Sequence, residues 1–160
     1  MDIRVGSGFD AHRFTPGRPL ILGGVTVPHD KGLLGHSDAD ALCHAAADAI
    51  LGAAALGDLG KFFPDSDPKW KGADSLKILA ECARLAEAKG WVLVNLDATL
   101  ICQKPKLAPY LPGMAQRLAE TLGLPLEAVS VKAKTTEGMG FEGREEGLSA
   151  QAVVLLKKKN

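Results

Sequence analysis

The sequence has no excess of charge of either sign, with 19 Lys and Arg residues against 19 Asp and Glu residues in a chain of 160. Proteins that bind DNA or RNA usually concentrate positive charge on one surface, because phosphate contacts dominate their affinity. We therefore expect no nucleic-acid partner. A small phosphorylated ligand needs only a few local cations, and the balanced composition is compatible with such a ligand.

Cysteine is also scarce. The chain has only Cys43, Cys82 and Cys102, and no two of them have the C-x-x-C spacing. Three scattered cysteines make neither a disulfide framework nor a zinc knuckle. We expect them to be buried as small hydrophobic residues in a reducing compartment, the cytoplasm.

Long apolar runs are missing too. The most apolar stretch, residues 41–59, contains a histidine and two aspartates, which are costly inside a bilayer. Asp2 and Arg4 precede only short apolar runs. We therefore expect neither a signal peptide nor a membrane partner.

The pattern of apolar residues predicts a single domain over residues 1–160. We expect strands at residues 3–8, 19–27 (interrupted at Gly23-Gly24), 91–102, 129–134 and 148–156. Helices are expected from a capping-box-like start at Ser37–Asp40 to near Gly57, then at about 74–89 and 109–122, with a long loop over 57–72. This order predicts an α+β fold, a two-layer sandwich whose mixed sheet of four to five strands is covered by helices.

Two familiar phosphate-binding motifs are absent. Residues 6–11 match the G-x-G-x-x-A pattern of dinucleotide sites, which requires a helix to begin there. Pro16, Gly17 and Pro19 follow instead, and they do not form that helix, so we exclude a dinucleotide site. The P-loop pattern G-x-x-x-x-G-K-[ST] does not occur.

Asp10, His12 and His44 form a candidate metal site. Residues two apart in an extended segment point to the same side, so the Asp10 carboxylate and the His12 imidazole converge. With His44, in the predicted Ala-rich helix, they would leave a fourth tetrahedral position open, as in catalytic zinc sites. On spacing alone, a capped or surface histidine is the commoner outcome. Asp48, one turn after His44, is either an orienting partner or an ordinary exposed helix residue.

Three other polar clusters have two interpretations each, and a fourth has one. His36-Ser37-Asp38 lies at the predicted helix start, where free backbone N–H groups bind an anion or are simply capped. Three carboxylates of the long loop either contact a ligand or are solvated: Asp58, Asp65 and Asp67. Residues 102–106, with Lys104 and Lys106, suit a nucleotide or form a basic turn. Residues 134–137, Lys-Thr-Thr-Glu, suit a diphosphate with Mg2+.

Together these segments resemble one family. They are Gly8-Phe9-Asp10-Ala11-His12, Gly35–Asp40 (GHSDAD), His44, Gly57–Gly60 (GDLG), Phe63–Asp67 (FPDSD) and Lys134–Glu137 (KTTE). In kind and order they are similar to the motifs of the 2-C-methyl-D-erythritol 2,4-cyclodiphosphate synthase family. Each motif alone is unspecific, but the set spans nearly the whole chain.

The resemblance implies a phosphorus–oxygen lyase of non-mevalonate isoprenoid biosynthesis, with a single catalytic domain over 1–160. Its substrate would be a cytidine diphosphate ester, 4-diphosphocytidyl-2-C-methyl-D-erythritol 2-phosphate. The 2-phosphate would attack the β-phosphorus, releasing cytidine monophosphate (CMP) and the cyclic diphosphate. A homotrimer with active sites between neighbouring subunits is also implied, whereas a fused cytidylyltransferase is not expected in a chain of this length.

Roles follow by position in the family pattern. The resemblance implies one Zn2+ on Asp10, His12 and His44, and Mg2+ or Mn2+ on the substrate diphosphate beside Glu137. His36 and Thr135 match residues credited with stabilising the transition state. Residues 63–67 with Asp58 match the methylerythritol contacts, and residues 102–108 match the cytidine loop. The full set of implied substrate contacts is Ser37, Asp58, Gly60, Phe63, Asp65, Asp67, Cys102, Lys104, Lys106, Leu107, Ala108, Lys134, Thr136, Phe141 and Arg144.

Two positions depart from the family pattern, with Lys134 where threonine is common and Ser7 where some members have histidine. Two alternatives also stand beside the synthase. One is a zinc-dependent diphosphate hydrolase, which would admit water to the open metal position and give a linear product. The other is a non-catalytic trimeric module that binds an isoprenoid diphosphate through Phe9, Phe141 and Arg144.

A shared site is favoured by the residues as well as by the resemblance. The metal ligands come from the first strand and first helix, whereas residues 102–108 and 134–137 follow distant strands. The strand predicted at 148–156 is apolar on both faces, which indicates burial beyond one chain. Phe9, Phe141 and Arg144 would lie near the trimer axis, where the resemblance suggests a central cavity for an isoprenoid diphosphate.

Overall fold

The computed structural model describes residues 2–159 and begins with four strands, which are followed by three helices and then by strands and helices in alternation. The strands are β1 (Ile3–Pro16), β2 (Leu20–Leu22), β3 (Val25–Val27), β4 (Lys31–Leu33), β5 (Trp91–Ile101), β6 (Val129–Lys134) and β7 (Gly147–Lys158). The helices are α1 (Ala41–Ala53), α2 (Leu59–Phe62), α3 (Ser75–Ala88), α4 (Leu111–Leu122) and α5 (Gly140–Gly143). Short 3-10 turns occupy Pro68–Trp70, Ala108–Tyr110 and Leu126–Ala128.

A five-stranded mixed sheet in the order β4-β1-β7-β5-β6 forms the centre of the molecule. β7 pairs antiparallel with both β1 and β5, and β6 pairs parallel with β5. The predicted α+β class with a mixed sheet is therefore confirmed. Among residues 2–159, no helix combines the length and the apolar character needed to cross a membrane.

Helices cover one face of this sheet. α1 packs on β1 and β7, α3 packs on α1 and β5, and α4 lies against β6. The core between the two layers is built from alternate strand residues, such as Leu96, Leu100, Leu148 and Leu156, all fully buried. The opposite face of the sheet is uncovered in this chain and exposes the apolar side chains of Ile3, Val5, Phe9 and Val153.

Two glycines bring α1 unusually close to β1. A Cβ atom at Gly8 would overlap the Ala45 carbonyl oxygen and lie 2.8 Å from the Ala49 backbone nitrogen. A Cβ at Gly6 would likewise meet the backbone of Ala53 at 2.8 Å. Only residues without a side chain permit this backbone-to-backbone contact. The close approach places His44, one residue before Ala45, against the face of β1 that carries Asp10 and His12.

The start of α1 corrects the sequence-based boundary. Asp40, not Ser37, is the N-cap, because its Oδ1 accepts from the Cys43 backbone N–H at 3.1 Å. The buried Asp40 carboxylate also accepts from the backbone N–H groups of Gly23 (2.9 Å) and Gly24 (2.8 Å). His36-Ser37-Asp38 therefore lies in the loop before the helix and not in its first turn.

Other boundaries also differ from the expectation. β1 continues to Pro16 instead of ending at Gly8, so the G-x-G-x-x-A pattern lies inside a strand. Residues 19–27 form the β2–β3 hairpin, because Gly23 and Gly24 adopt φ of 57° and 72°. The short strand β4 was not predicted, α1 ends at Ala53 instead of near Gly57, and the loop over 57–72 contains α2.

Candidate functional site

Asp10, His12 and His44 converge as the sequence predicted. Asp10 Oδ2 lies 2.8 Å from His12 Nε2 and 3.0 Å from His44 Nδ1, and the two nitrogens are 3.3 Å apart. All three side chains are largely buried, with 14–25% of each exposed. This is a group of donor atoms within 4.8 Å of one another that fits a metal ion.

The remaining ring nitrogens of both histidines are held by hydrogen-bond partners. His12 Nδ1 donates to the Leu34 carbonyl oxygen at 2.8 Å. His44 Nε2 lies 2.9 Å from Ser75 Oγ and 3.2 Å from Ser37 Oγ. Such contacts on the far side of each ring fix its orientation and leave the other nitrogen free for a ligand.

The charge distribution at the trio favours a cation. Burial alone would raise the pKa of Asp10, but the hydrogen bonds and charges of His12 and His44 outweigh it and lower that pKa to about 2. Burial disfavours the charged ring of His12, yet the Asp10 carboxylate raises its pKa above the ordinary 6.5. When the His12 ring is neutral and its Nδ1 donates to Leu34, the lone pair of His12 Nε2 faces Asp10 Oδ2 without a proton between them, a repulsion that a bound cation relieves. One carboxylate and two imidazoles suit zinc with a fourth position open.

A cavity of about 600 Å³ opens over the trio. Several residues implied by the family pattern line it together with the metal ligands: His36, Ser37, Gly60, Phe63 and Asp65. Trp70 closes one wall and packs edge-to-face on Phe63, with ring centroids 4.7 Å apart. The cavity thus combines a candidate cation site, an imidazole and a rigid aromatic wall.

The loop that carries His36 is clamped from outside the cavity by Arg18. The guanidinium donates to the Gly35 carbonyl through Nη1 (2.6 Å) and to the Ser37 carbonyl through Nη2 (2.5 Å). His36 Nε2 in turn lies 3.3 Å from the Asp67 carbonyl oxygen. The imidazole therefore connects the clamped loop to the loop that precedes α3. Arg18 was not singled out from the sequence, because a lone arginine between two prolines gives no signal of its partners.

Three carboxylates near the cavity are occupied by backbone groups. Asp58 Oδ1 accepts from Lys61 N at 3.1 Å and caps α2, while Asp67 Oδ1 accepts from Lys69 N at 2.9 Å. Asp48 Oδ1 accepts from Leu59 N at 2.8 Å and so ties α2 to α1. Neither alternative considered for Asp48 anticipated this role as an anchor for α2, and the neighbours of His44 Nε2 are the serines Ser37 and Ser75.

The ends of β5 and β6, which lead into the segments with Lys104, Lys106 and Lys134, lie beside each other and not beside the metal trio. The last residues of β5 and β6, Ile101 and Lys134, are paired in register, and Cys102 N donates to Lys134 O at 2.8 Å. Gln103 Oε1 accepts from Gly138 N at 3.2 Å, which joins the two following loops. Within one chain, the residues of these segments that the family pattern implies do not line the 600 Å³ cavity. They are Cys102, Lys104, Lys106, Leu107, Ala108, Lys134, Thr135, Thr136 and Glu137.

Phe141 and Arg144 lie in and just after α5, at another part of the surface. Phe141 lines a small cavity of about 190 Å³ with Ala11 and Arg13, residues of β1 on its uncovered face. Arg144 Nη2 pairs with Glu146 Oε2 at 3.2 Å. Phe9 is 56% exposed on the same uncovered face of β1. None of the three residues lines the 600 Å³ cavity over the trio within one chain.

Nearly the whole chain is similar to one family of known proteins. Residues 3–157 match the model of the YgbB family. A 2-C-methyl-D-erythritol 2,4-cyclodiphosphate synthase from Cupriavidus metallidurans is 60% identical over 99% of this chain and 95% of its own length. One from Bacillus pumilus is 56% identical over 98% of this chain and 99% of its own length.

Solved structures of the same family have the same fold as this chain. A 2C-methyl-D-erythritol-2,4-cyclodiphosphate synthase, solved also in a form bound to CDP, superposes with a TM-score of 0.89 at 42% identity, covering 96% of this chain and 100% of that one. The bifunctional IspDF from Campylobacter jejuni gives a TM-score of 0.96 at 43% identity, covering 99% of this chain and 43% of the longer one. The chain belongs to the YgbB family, the family of the 2-C-methyl-D-erythritol 2,4-cyclodiphosphate synthases.

Proposed function

We propose that this chain converts 4-diphosphocytidyl-2-C-methyl-D-erythritol 2-phosphate into 2-C-methyl-D-erythritol 2,4-cyclodiphosphate and CMP. An oxygen of the 2-phosphate forms a bond to the β-phosphorus, and the bond from that phosphorus to the bridging oxygen breaks, so that the oxygen leaves with CMP. The observation that carries the proposal is the Asp10–His12–His44 cluster at the floor of the 600 Å³ cavity, in a chain whose relatives bear this name.

The metal requirement follows from the charges of the substrate. Attacking phosphate and diphosphate are both anions, and phosphoryl transfer depends mainly on positioning and charge neutralisation. Asp10, His12 and His44 would hold Zn2+, and Glu137 would hold Mg2+ or Mn2+ on the diphosphate. Bound there, these ions supply charge neutralisation and orientation of the phosphate oxygens.

The chain's own residues would position the substrate. His36 is held at the cavity wall by the Arg18 clamp, and Phe63 and Asp65 border the space for the methylerythritol part. The hydroxyl of Thr135 and the cation of Lys134 lie at the exposed end of β6 and would hold phosphate oxygens. An attack within one folded-back substrate gains an effective molarity on the order of 10^5 M or more, so no protein nucleophile is required.

We further infer a homotrimer whose site is completed between subunits. The trio and the strand-end residues 102–108 and 134–137 border different parts of one chain's surface, and a diphosphate must reach both. The uncovered face of the sheet, with Ile3, Val5 and Phe9 more than half exposed, supports burial against neighbouring copies. A closed ring is a common way to bury such a face. The cavity beside Phe141 and Arg13 would then lie near the axis, with Arg144 in the same loop region, and would suit an isoprenoid diphosphate.

Mixed trimers test the shared site. His44→Ala removes a metal ligand, and Lys106→Ala removes a cation from the cytidine loop, so each variant alone is expected to be inactive or strongly impaired. After subunit exchange, some interfaces carry both lesions and others carry neither, so part of the activity returns. No recovery after confirmed exchange, or a monomer by light scattering, would show that each chain has a complete site of its own.

Metal content and CMP release together separate an enzyme from a non-catalytic binding module, whereas the product separates the synthase, which forms a cyclic diphosphate, from the hydrolase, which forms a linear one. We expect zinc near one equivalent per chain, metal-dependent release of CMP, and loss of both in His44→Ala. A binding module retains ligand but releases no CMP. Such an enzyme would be expected in the cytoplasm, where its phosphorylated substrate would be made.

A further inference from the structure

A single hydroxyl group joins the metal trio to the start of α3. Ser75 Oγ lies 2.9 Å from His44 Nε2 and donates a hydrogen bond to Asp38 Oδ1. Asp38 also receives the Ser75 backbone N–H at Oδ2, 3.1 Å away. Ser75 is fully buried, with 0% of its surface exposed. Nothing in the sequence pointed to this residue, which follows a helix-capping aspartate and has the pattern of an ordinary helix start.

The direction of these hydrogen bonds follows from the number of protons. A serine hydroxyl has one proton to donate, whereas a carboxylate only accepts. Asp38 Oδ1 accepts from the Ser75 hydroxyl and Asp38 Oδ2 from the Ser75 backbone N–H. The hydroxyl proton of Ser75 is therefore committed to Asp38, and a lone pair of Ser75 Oγ faces His44. His44 Nε2 must then be the donor in its contact with Ser75, so Nε2 carries the ring proton and Nδ1 carries the lone pair.

We propose that Ser75, held by Asp38, is a positioning residue that fixes His44 in the tautomer required for metal binding. The lone pair of His44 Nδ1 is thereby directed at the centre of the trio, 3.0 Å from Asp10 Oδ2. If no group contacted Nε2 of a neutral His44 ring, Asp10 would favour a proton on Nδ1. That tautomer has no lone pair on Nδ1 for a metal ion. This inference rests on the proposed metal centre and extends it to two residues that do not contact the ion.

The position of Ser75 is fixed by rigid neighbours. Asp74 caps α3 by accepting from Leu76 N at 3.0 Å, and Asp38 N donates to Ala73 O at 3.1 Å. α3 also packs directly on α1, the helix that carries His44. The hydroxyl is therefore held by backbone contacts on both sides of it. The segment over 57–74 ends at this same point, so the Ser75 side chain contributes both to its anchor and to the orientation of His44.

Zinc affinity of the metal-free protein, measured with Zn2+ alone by chelator competition, tests the proposal. Removing a group that orients a ligand typically weakens metal affinity roughly 10- to 100-fold, and we expect Ser75→Ala to fall in that range. Ser149→Ala is the matched control, because Ser149 is also a buried serine whose hydroxyl donates to a carboxylate, that of Glu142 at 2.7 Å. Ser149 pairs with Ala11 and so faces away from Asp10 and His12. The zinc affinity of the Ser149→Ala protein should equal that of the wild type.

The tautomer of His44 gives a second readout, independent of folding changes in the variant. Nitrogen-15 NMR of the zinc-free wild type, with its imidazoles neutral, should show the proton on Nε2. In Ser75→Ala the fraction with the proton on Nδ1 should rise. Wild-type affinity in Ser75→Ala, or a wild-type ring protonated on Nδ1, would overturn the proposal. Failure of the wild type to bind Zn2+ would instead overturn the proposed metal centre, and the wild-type tautomer would still decide the role of Ser75.

Discussion

Replacing Gly8 by alanine should separate α1 from β1 and so disturb the metal site without touching a ligand. The new methyl group would overlap the Ala45 carbonyl oxygen and lie 2.8 Å from Ala49 N. Both neighbours are backbone atoms of the helix, so no side chain can rotate away to relieve the overlap. The helix itself must shift, and His44 moves with it.

The expected cost is at the upper end of the range for overpacking, about 3 kcal/mol. For a chain of this size each kcal/mol lowers the melting temperature by roughly 2–4 °C, so the total loss should be about 6–12 °C. A shift of His44 relative to Asp10 and His12 should also weaken zinc binding. Gly6→Ala should behave in the same way, because its Cβ would meet Ala53 N at 2.8 Å.

Gly52→Ala, on the same helix, is the matched control. A Cβ at Gly52 has no heavy atom within 4 Å. Alanine favours an exposed helical position over glycine by about 0.5–1 kcal/mol, so this variant should be slightly stabilised. Thermal unfolding at matched protein concentration and zinc titration compare the variants. A Gly8→Ala protein with wild-type melting temperature and zinc affinity would refute the close-approach reasoning.

Three further expectations concern the site. Arg18→Ala should lower stability by about 3 kcal/mol or more, since two charge-assisted hydrogen bonds of about 1.5–3 kcal/mol each are lost, and it should slow CMP release. Arg84→Ala, at an exposed ion pair, should change neither the stability nor the rate. Equal activity in both variants would contradict the clamp. Zinc affinity should fall as the pH drops, because protons compete with the metal for the His12 ring. The fall should begin above the ordinary imidazole pKa of 6.5, since Asp10 raises the pKa of His12. A zinc affinity that does not change with pH would contradict this expectation. Glu137→Gln should raise the Mg2+ requirement while zinc content stays constant, and an unchanged Mg2+ dependence would count against the assigned role.

The convergence of Asp10 and His12 was accessible from the sequence because its signal is local, whereas their assignment with His44 to a metal site came from the resemblance to the family. Asp10 and His12 are two apart in a strand, and alternation alone places them on one face. Most strand and helix positions were likewise indicated by periodicity, as for β5 and α3. His44 needed more, since its approach to β1 depends on Gly6 and Gly8, whose close packing no periodicity encodes.

The parts that escaped prediction depend on contacts between distant segments. Ser75 reaches His44 from 31 residues away, and Arg18 reaches Ser37 from 19 residues away. Neither belongs to a motif, and each resembles an ordinary surface or capping residue when only the sequence is read. β4 was missed because three residues are too few to show alternation, although its pairing with β1 holds the loop before His36.

Phosphorus-31 NMR of the reaction product shows whether the chain closes a cyclic diphosphate. The protein would be incubated with 4-diphosphocytidyl-2-C-methyl-D-erythritol 2-phosphate in the presence of Zn2+ and Mg2+. We expect two coupled phosphorus signals of a cyclic diphosphate, appearing together with one equivalent of CMP, and neither the cyclic diphosphate nor CMP with His44→Ala. A linear phosphate product formed with water, or ligand binding without release of CMP, would contradict the proposed function.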